Sequence, residues 1–300
     1  MCSLCGRVDL VEGTGYPRGH LRPGDGRGHR DPINPGRVCP GQIHGPFFMG
    51  HRFVTDVLAI RASIGHPMGC STSVPALRSA LTTLAETLLL AASRVLQIDE
   101  GEMEANWSPV QPSLGRCIDL CLYDVLPGGA GFARACQDAL DEILREAEVM
   151  LSPASCGCQT SCYRCLRHYA NQGYHSDLDR RLGRDLLAYL LHAEIPSLSQ
   201  EEESWAAERL AQALRLHNIS AGTNVQVPGP EGVITVPLIV NPGGTALWVL
   251  PTHPLLDPNE LAHPLLDAAL MLAQPIHPID SYSVEHRLPS AFESISSMLG

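Results

Sequence analysis

Three hundred residues carry a formal net charge of −11, and all 21 basic side chains are arginine; lysine is absent. The chain therefore has no P-loop lysine to reach nucleotide phosphates, no Schiff-base lysine and no lysine of the restriction-nuclease kind. Apolar residues at 44% can build a core, charged residues at 18% are too few for a disordered chain, and no uninterrupted apolar run of about 18 residues predicts a membrane span.

The opening MCSLCGRVDL lacks the basic flank and apolar stretch of a secretory signal, so a cytoplasmic location is expected. An odd, unevenly spaced set of eleven cysteines argues against a disulfide framework there. Residues 1–50 are rich in Gly, Pro and Arg with little periodicity, a loop-dominated segment that needs a metal or partner to hold a shape. Residues 52–60 read as a strand. Residues 73–98 read as a long, largely buried helix, with Ser73 as cap and Pro75 in its first turn. A buried strand is expected at 117–126, the loop PGGAG at 127–131, and an amphipathic helix at 132–151. A helix at 176–193, capped by Ser176 or Asp177, closes this part. Residues 1–195 hold 18 arginines against 21 acidic residues, and residues 196–300 hold 3 against 11, which sets a boundary near Ser197–Glu201. Beyond it come a helix at 201–217, strands at 232–240 and 245–251 joined by a turn at NPGG, and helices at 258–273 and 289–299. The expected fold is α/β: a loop-rich candidate zinc ribbon (1–50), a zinc-stabilised domain (51–196) and a smaller acidic α/β domain (197–300).

Four cysteines stand in the stretch 156-CGCQTSCYRCL-166, in the pattern C-x-C-x3-C-x2-C. Zinc takes four tetrahedral ligands, and a C-x2-C turn aims Cys162 and Cys165 at one point. Cys156 and Cys158 converge on the same point if the backbone bends, which Gly157 permits. Four thiolates complete the shell, so this zinc is expected to hold structure rather than do chemistry, and a redox-sensor role is disfavoured. The neighbouring Arg164, Arg167, Arg180 and Arg181 are candidate DNA contacts, weighed against the alternative that they are solvated or pair with Asp177 and Asp179.

Cys2 and Cys5 form a second C-x2-C pair, for which Cys39 and a histidine complete a second zinc set. His29 is the first choice for that histidine, with His20 and His44 as alternatives. Cys70, Cys117, Cys121 and Cys136 fall on apolar patterns and read as core filling.

The glycine loop offers an anion site through the backbone of Gly128 and Gly129. Asp124 at the strand end, with Asp56 and His51 from a neighbouring strand, makes an alternative active site for a metal-dependent nuclease. The structural reading is preferred, in which Asp124 caps the glycine loop and Asp56 fixes a turn. The C-terminal helix–strand–strand–helix order has a fold-level likeness to a degenerate restriction-endonuclease core, without its acidic residues and lysine.

Taken in order, 50-GHRFVTDVL-58, 122-LYDVLPGGAGF-132, the cysteine cluster and 169-YANQGYHSDLDR-180 resemble the zinc-binding MZB domain of MrfA-type superfamily 2 helicases, which recurs in DrmB of the DISARM anti-phage system. The resemblance implies a role beside a DNA helicase, in anti-phage defence or DNA repair. No motor sequence accompanies it, so it implies a separate subunit or the back part of a split gene. The expected partners are a helicase or other ATPase subunit acting in trans, and DNA.

Overall fold

The computed structural model describes residues 39, 53–69, 71, 74–110, 117–230, 232–241 and 246–299. The chain divides into two units, Met1–Phe53 and Val54–Gly300. Within the first, Cys39 is buried and Phe53 is partly exposed. The elements below belong to the second.

Its organising element is helix α1 (Pro75–Leu96). Ser73 lies outside the described residues; the extended Val74 is the N-cap, and Pro75 opens the first turn with its φ already set for a helix. The helix ends where Gln97 turns left-handed at φ 55°. An 18-residue window of α1 has the length and mean hydropathy (1.2) of a membrane-crossing helix, yet 78% of it is buried inside the protein itself. Composition alone hid this, because polar residues interrupt the run. Ser79, Thr83, Glu86 and Thr87 are all buried, and the first three follow i, i+4, i+7 spacing on one helical face.

Against α1 lies an antiparallel sheet of β1 (Val57–Ser63), β2 (Met103–Pro109) and β3 (Cys117–Asp124), with β3 in the centre. Ile118, Leu120, Leu122 and Asp124 of β3 point into the core, while Cys117, Asp119, Cys121 and Tyr123 alternate onto a half-exposed outer face. The expected fully buried strand is thus buried on one side only. Of the cysteines expected to fill the core, Cys136 does so, Cys117 and Cys121 lie on the outer face, and Cys70 is outside the described residues.

The single helix expected at 132–151 is two, α2 (Phe132–Asp138) and α3 (Leu140–Leu151), broken at Ala139. The break lets Ala133 and Cys136 face the core from one axis and Ile143, Ala147, Met150 and Leu151 from another. The helix expected from 176 starts later. Residues Gln172–Asp177 form a 3₁₀ turn, and α4 (Arg180–His192) begins at Asp179, whose carboxylate accepts from the Arg181 N–H. Neither Ser176 nor Asp177 caps it.

Helices α1 and α4 cross at Gly183. A Cβ built there would come within 2.7 Å of Thr83 Cγ2, so the approach depends on glycine. Gly183→Ala is expected to cost about 1–3 kcal/mol by overpacking, read as a lower denaturant midpoint with an unchanged slope.

The acidic part begins with α5 (Gln200–Leu216), held by a full capping box between Ser199 and Glu202. Strands β4 (Ala221–Gly229), β5 (Gly232–Val240), β6 (Leu247–Thr252) and β7 (Ile276–Asp280) form a second sheet in that order. The first three run antiparallel, and β7 lies parallel to β6 after the crossover helix α6 (Pro264–Met271). Most of the expected NPGG turn lies outside the described residues. Helix α6 starts six residues later than expected, because Pro264 suits a first helical position and the His263 ring accepts from the Leu265 N–H. Helices α7 (Ser281–His286) and α8 (Leu288–Ser297) finish the chain. Helices α5, α7 and α8 cover one face of this sheet and α6 the other, which is why β6 is buried along its whole length.

The two sheets' layers are joined within the Val54–Gly300 unit. The Gly69 N–H donates to Leu255 O at 2.7 Å, and the Asp257 N–H to Pro67 O at 2.9 Å. Arg181 pairs with Glu285 at 3.0 Å, and the buried His253 meets Asp185 at 3.1 Å.

Candidate metal centre

The site starts at the C-terminus of α3, where unpaired carbonyls need donors. Arg180 supplies them. Its buried guanidinium donates to the carbonyl oxygens of Met150, Leu151, Ser152 and Cys156, and to Ser155 Oγ. Its own N–H donates to Thr160 O at 2.8 Å. One side chain thus fastens the end of α3, the first cysteine and the start of α4. Arg180, expected as a DNA contact, is a structural cation.

The cysteines follow at once. The N–H groups of Cys165, Leu166 and Arg167 converge on Cys162 O at 3.0–3.1 Å, folding C-x2-C into a tight turn. The Cys162 N–H donates to Cys165 Sγ at 3.2 Å. The sulfur separations are 3.5 Å for Cys156–Cys162, 3.6 Å for Cys158–Cys165 and 3.7 Å for Cys162–Cys165. All four sulfurs lie within 4.8 Å of one another. A tetrahedral zinc with sulfurs at about 2.3 Å requires edges of about 3.8 Å, so the four residues fit the ion. Gly157 is not in a left-handed conformation, and a Cβ there would meet nothing within 4 Å. The C-x-C bend therefore does not depend on glycine, contrary to expectation.

The thiols are unequal before any metal is considered. The Arg164 N–H bonded to its sulfur holds Cys162 down at about 7, while burial pushes Cys158 up to about 12. Cys165 is also raised, again by burial. A divalent cation at the centre of the four would favour the thiolate form of every one. With four protein ligands the shell is closed, so the ion would brace the loop and hold no substrate.

Behind the cysteines the chain is tied to α1. Glu86, buried to 3% exposure, bonds to His168 Nε2 and accepts from the Tyr174 hydroxyl at 2.9 Å. Ser79 Oγ donates to Asp177 O at 2.6 Å, and the Asp179 N–H donates to Thr83 Oγ1 at 2.8 Å. Asn171, fully buried, donates to Leu166 O and accepts from the His168 N–H. Sequence reasoning missed these anchors. The readable signal was the polar stripe Ser79, Thr83, Glu86 on an otherwise apolar helix.

The remaining candidate residues divide as follows. Arg181 is half-buried between Asp179 and Glu285, so it too is committed to the fold. Arg164 is exposed, and Arg167 is half-buried and gives its Nε–H to Ser161 Oγ at 2.9 Å. Of the second zinc set, Cys39 is described and buried; Cys2, Cys5 and His29, like His20 and His44, lie outside the described residues.

The glycine loop holds an anion, but the anion is the protein's own. Asp124, with no exposed surface, accepts from the N–H groups of Ala130, Gly131, Phe132 and Ala133 at 2.6–3.2 Å. The Gly128 N–H donates to Val54 O and the Gly129 N–H to Leu126 O. No backbone donor of this loop remains for a phosphate, so Gly128 and Gly129 form no open anion site. Asp56 packs so tightly on the loop that a Cβ at Gly129 would lie 2.6 Å from its Oδ2. The structure brings Asp56 and Asp124 to one loop without leaving Asp124 a free oxygen for a metal, and His51 lies outside the described residues. The alternative active site is set aside on this geometry.

Residues 84–166, from the middle of α1 through Leu166, match the family model of MZB, the MrfA Zn-binding domain. This stretch matches a zinc-binding domain, and Cys156, Cys158, Cys162 and Cys165 lie within it as a cluster able to hold a zinc ion. The chain is 31% identical over 308 residues to the Druantia protein DruE of Escherichia coli (strain UMEA 4076-1), a match over 100% of this chain and 16% of that protein. It thus spans about one sixth of the curated relative's length. A solved structure, the DUF1998 helicase MrfA bound to DNA, is similar at a TM-score of 0.30 and 18% identity, over 39% of this chain and 15% of that one.

Proposed function

We propose that this chain is a zinc-braced, non-motor module of a helicase or translocase assembly in anti-phage defence, meeting both DNA and the motor. The carrying observation is the four-sulfur cluster inside an MZB-matching region, fastened to the end of α3 by Arg180 and linked to the buried α1 through Glu86 and Thr83. A closed thiolate shell suits a rigid brace between moving parts. The absence of lysine means the ATP-driven step would come from a P-loop elsewhere. The motif resemblance to MrfA-type helicases and DrmB leaves defence and repair both open, and the likeness to a Druantia protein is what favours defence in this reading. Reduced, metal-ready thiols are at home in the cytoplasm, where we place the protein.

The acidic part is proposed as the motor-facing surface. Its helix–three strands–helix–strand order, α5–β4–β5–β6–α6–β7, supports a restriction-endonuclease-like scaffold without catalytic equipment. Strands β5 and β6 contain no ionisable residue. Purifying the tagged chain from cells that express its genomic neighbours should bring an ATPase down in a stable complex. Repeated recovery of the chain without any ATPase would contradict the proposal.

A further inference from the structure

Three tyrosines around the α1 core spend their hydroxyls on the fold: Tyr123 on Glu104, Tyr174 on Glu86 and Tyr189 on Gly65 O. Tyr163 and Tyr169 do not. They are 73% and 83% exposed, and neither hydroxyl has a partner among the described residues. Tyr163 stands at the tip of the C-x2-C turn, whose two sulfurs point inward to the metal site. Its ring meets the edge of the His175 ring at 5.4 Å, and His175 Nε2 lies 3.1 Å from His168 O, next to Tyr169. The two exposed rings therefore sit on adjoining turns, both backed by a metal-braced loop. Arg164, exposed, lies beside Tyr163 with no side-chain partner among the described residues, and Arg167 is half-buried with its Nε–H given to Ser161 Oγ. Arg164 and Arg167 bring two positive charges to this aromatic surface, set against the net negative charge of a zinc ion with four thiolates beneath it. Asp177 is the exposed carboxylate on the 3₁₀ turn that follows.

We propose that Tyr163 and Tyr169 form a stacking platform for the bases of single-stranded DNA, with Arg164 and Arg167 holding its phosphates. Aromatic faces accept any base, and arginines track the backbone, so the surface would take single strands without sequence preference. A duplex hides its base faces and would gain only the phosphate contacts. This rests on the DNA-binding part of the proposed function and names the ligand and the residues.

The test is fluorescence anisotropy of the zinc-loaded full chain with labelled oligothymidylate and with a duplex. Y163A/Y169A should weaken oligothymidylate binding by roughly tenfold or more, and Y163F/Y169F should bind as the parent does, because stacking needs the ring and not the hydroxyl. R164Q/R167Q should lower the slope of log affinity against log salt by roughly 1. Zinc content should be unchanged in all three, since Arg164 and Arg167 meet Cys162 through backbone N–H groups that the substitutions keep. If Y163A/Y169A binds oligothymidylate like the parent, or the parent prefers the duplex, the platform is overturned and DNA binding stands. If the parent binds neither nucleic acid, the platform and the DNA-binding part of the proposed function fall together.

Discussion

Replacing Cys162 and Cys165 together by serine is expected to abolish cooperative thermal unfolding of the MZB region. Structural zinc sites contribute about 10–16 kcal/mol of apparent binding energy at neutral pH, and a whole domain is stable by only about 5–15 kcal/mol. The loop from Cys156 to Leu166 has little apolar burial to hold it beside its hydrogen bonds to Arg180 and Asn171, since of its side chains Ser161 and Leu166 alone are buried. Loss of the metal should also release Arg180 from Cys156 O, freeing the end of α3, and slacken the His168–Glu86 contact to α1. The damage should therefore reach the core rather than stay in the loop. Circular dichroism with a calorimetric scan reads it, and parent-like melting of the serine variant would contradict it. Acidification should imitate the substitution, because protons compete with zinc for thiolates. A chromophoric chelator should capture zinc progressively as pH falls from about 8 to about 5.

Asp124→Ala is expected to be the most damaging change outside the metal site. The carboxylate satisfies four backbone N–H groups at once, with no exposed surface of its own. Each orphaned buried donor costs about 1–3 kcal/mol, so a total loss of at least about 3 kcal/mol is expected after partial rehydration. For a unit of this size that lowers Tm by roughly 6–12 °C. Asp124→Asn, which keeps one acceptor oxygen, should fall between the two. The same pair answers the nuclease question. Plasmid incubated with Mg2+ or Mn2+ should stay intact with parent and variant alike. Metal-dependent cleavage by the parent that disappears in Asp124→Asn, at a temperature where that variant is still folded, would restore Asp124 to a catalytic role.

Much of the site was legible because its determinants are local. C-x-C-x3-C-x2-C brings four sulfurs together within ten residues, and only the tight turn at Cys162 is needed to aim them. Helix α1 was equally plain, since its apolar residues leave few ways to be anything but a core helix. The strands that escaped notice had weaker local signals. In β2 the alternation of Met103, Ala105 and Trp107 runs for one short stretch before Pro109. In β4 only Val225 and Val227 alternate after a run of Gly, Thr and Asn, and β7 has five residues with a proline among them. Such strands owe their pairing to neighbours rather than to intrinsic propensity. The arginines show the other limit. Arg164 and Arg180 look alike in a charge count, yet one is bare to solvent and the other is enclosed by carbonyl oxygens. That difference depends on where α3 ends relative to α4, which no local pattern records. Asp124 is similar: strand, glycine loop and helix are each readable, but the carboxylate's four donors exist only once the loop has closed over it.

The central claim is that one zinc, held by Cys156, Cys158, Cys162 and Cys165, keeps the MZB region folded. Native mass spectrometry of the purified chain, followed through chelator titration, tests it most directly. The account predicts a zinc that is lost together with the folded charge-state envelope. A compact, monodisperse chain carrying no metal would contradict it.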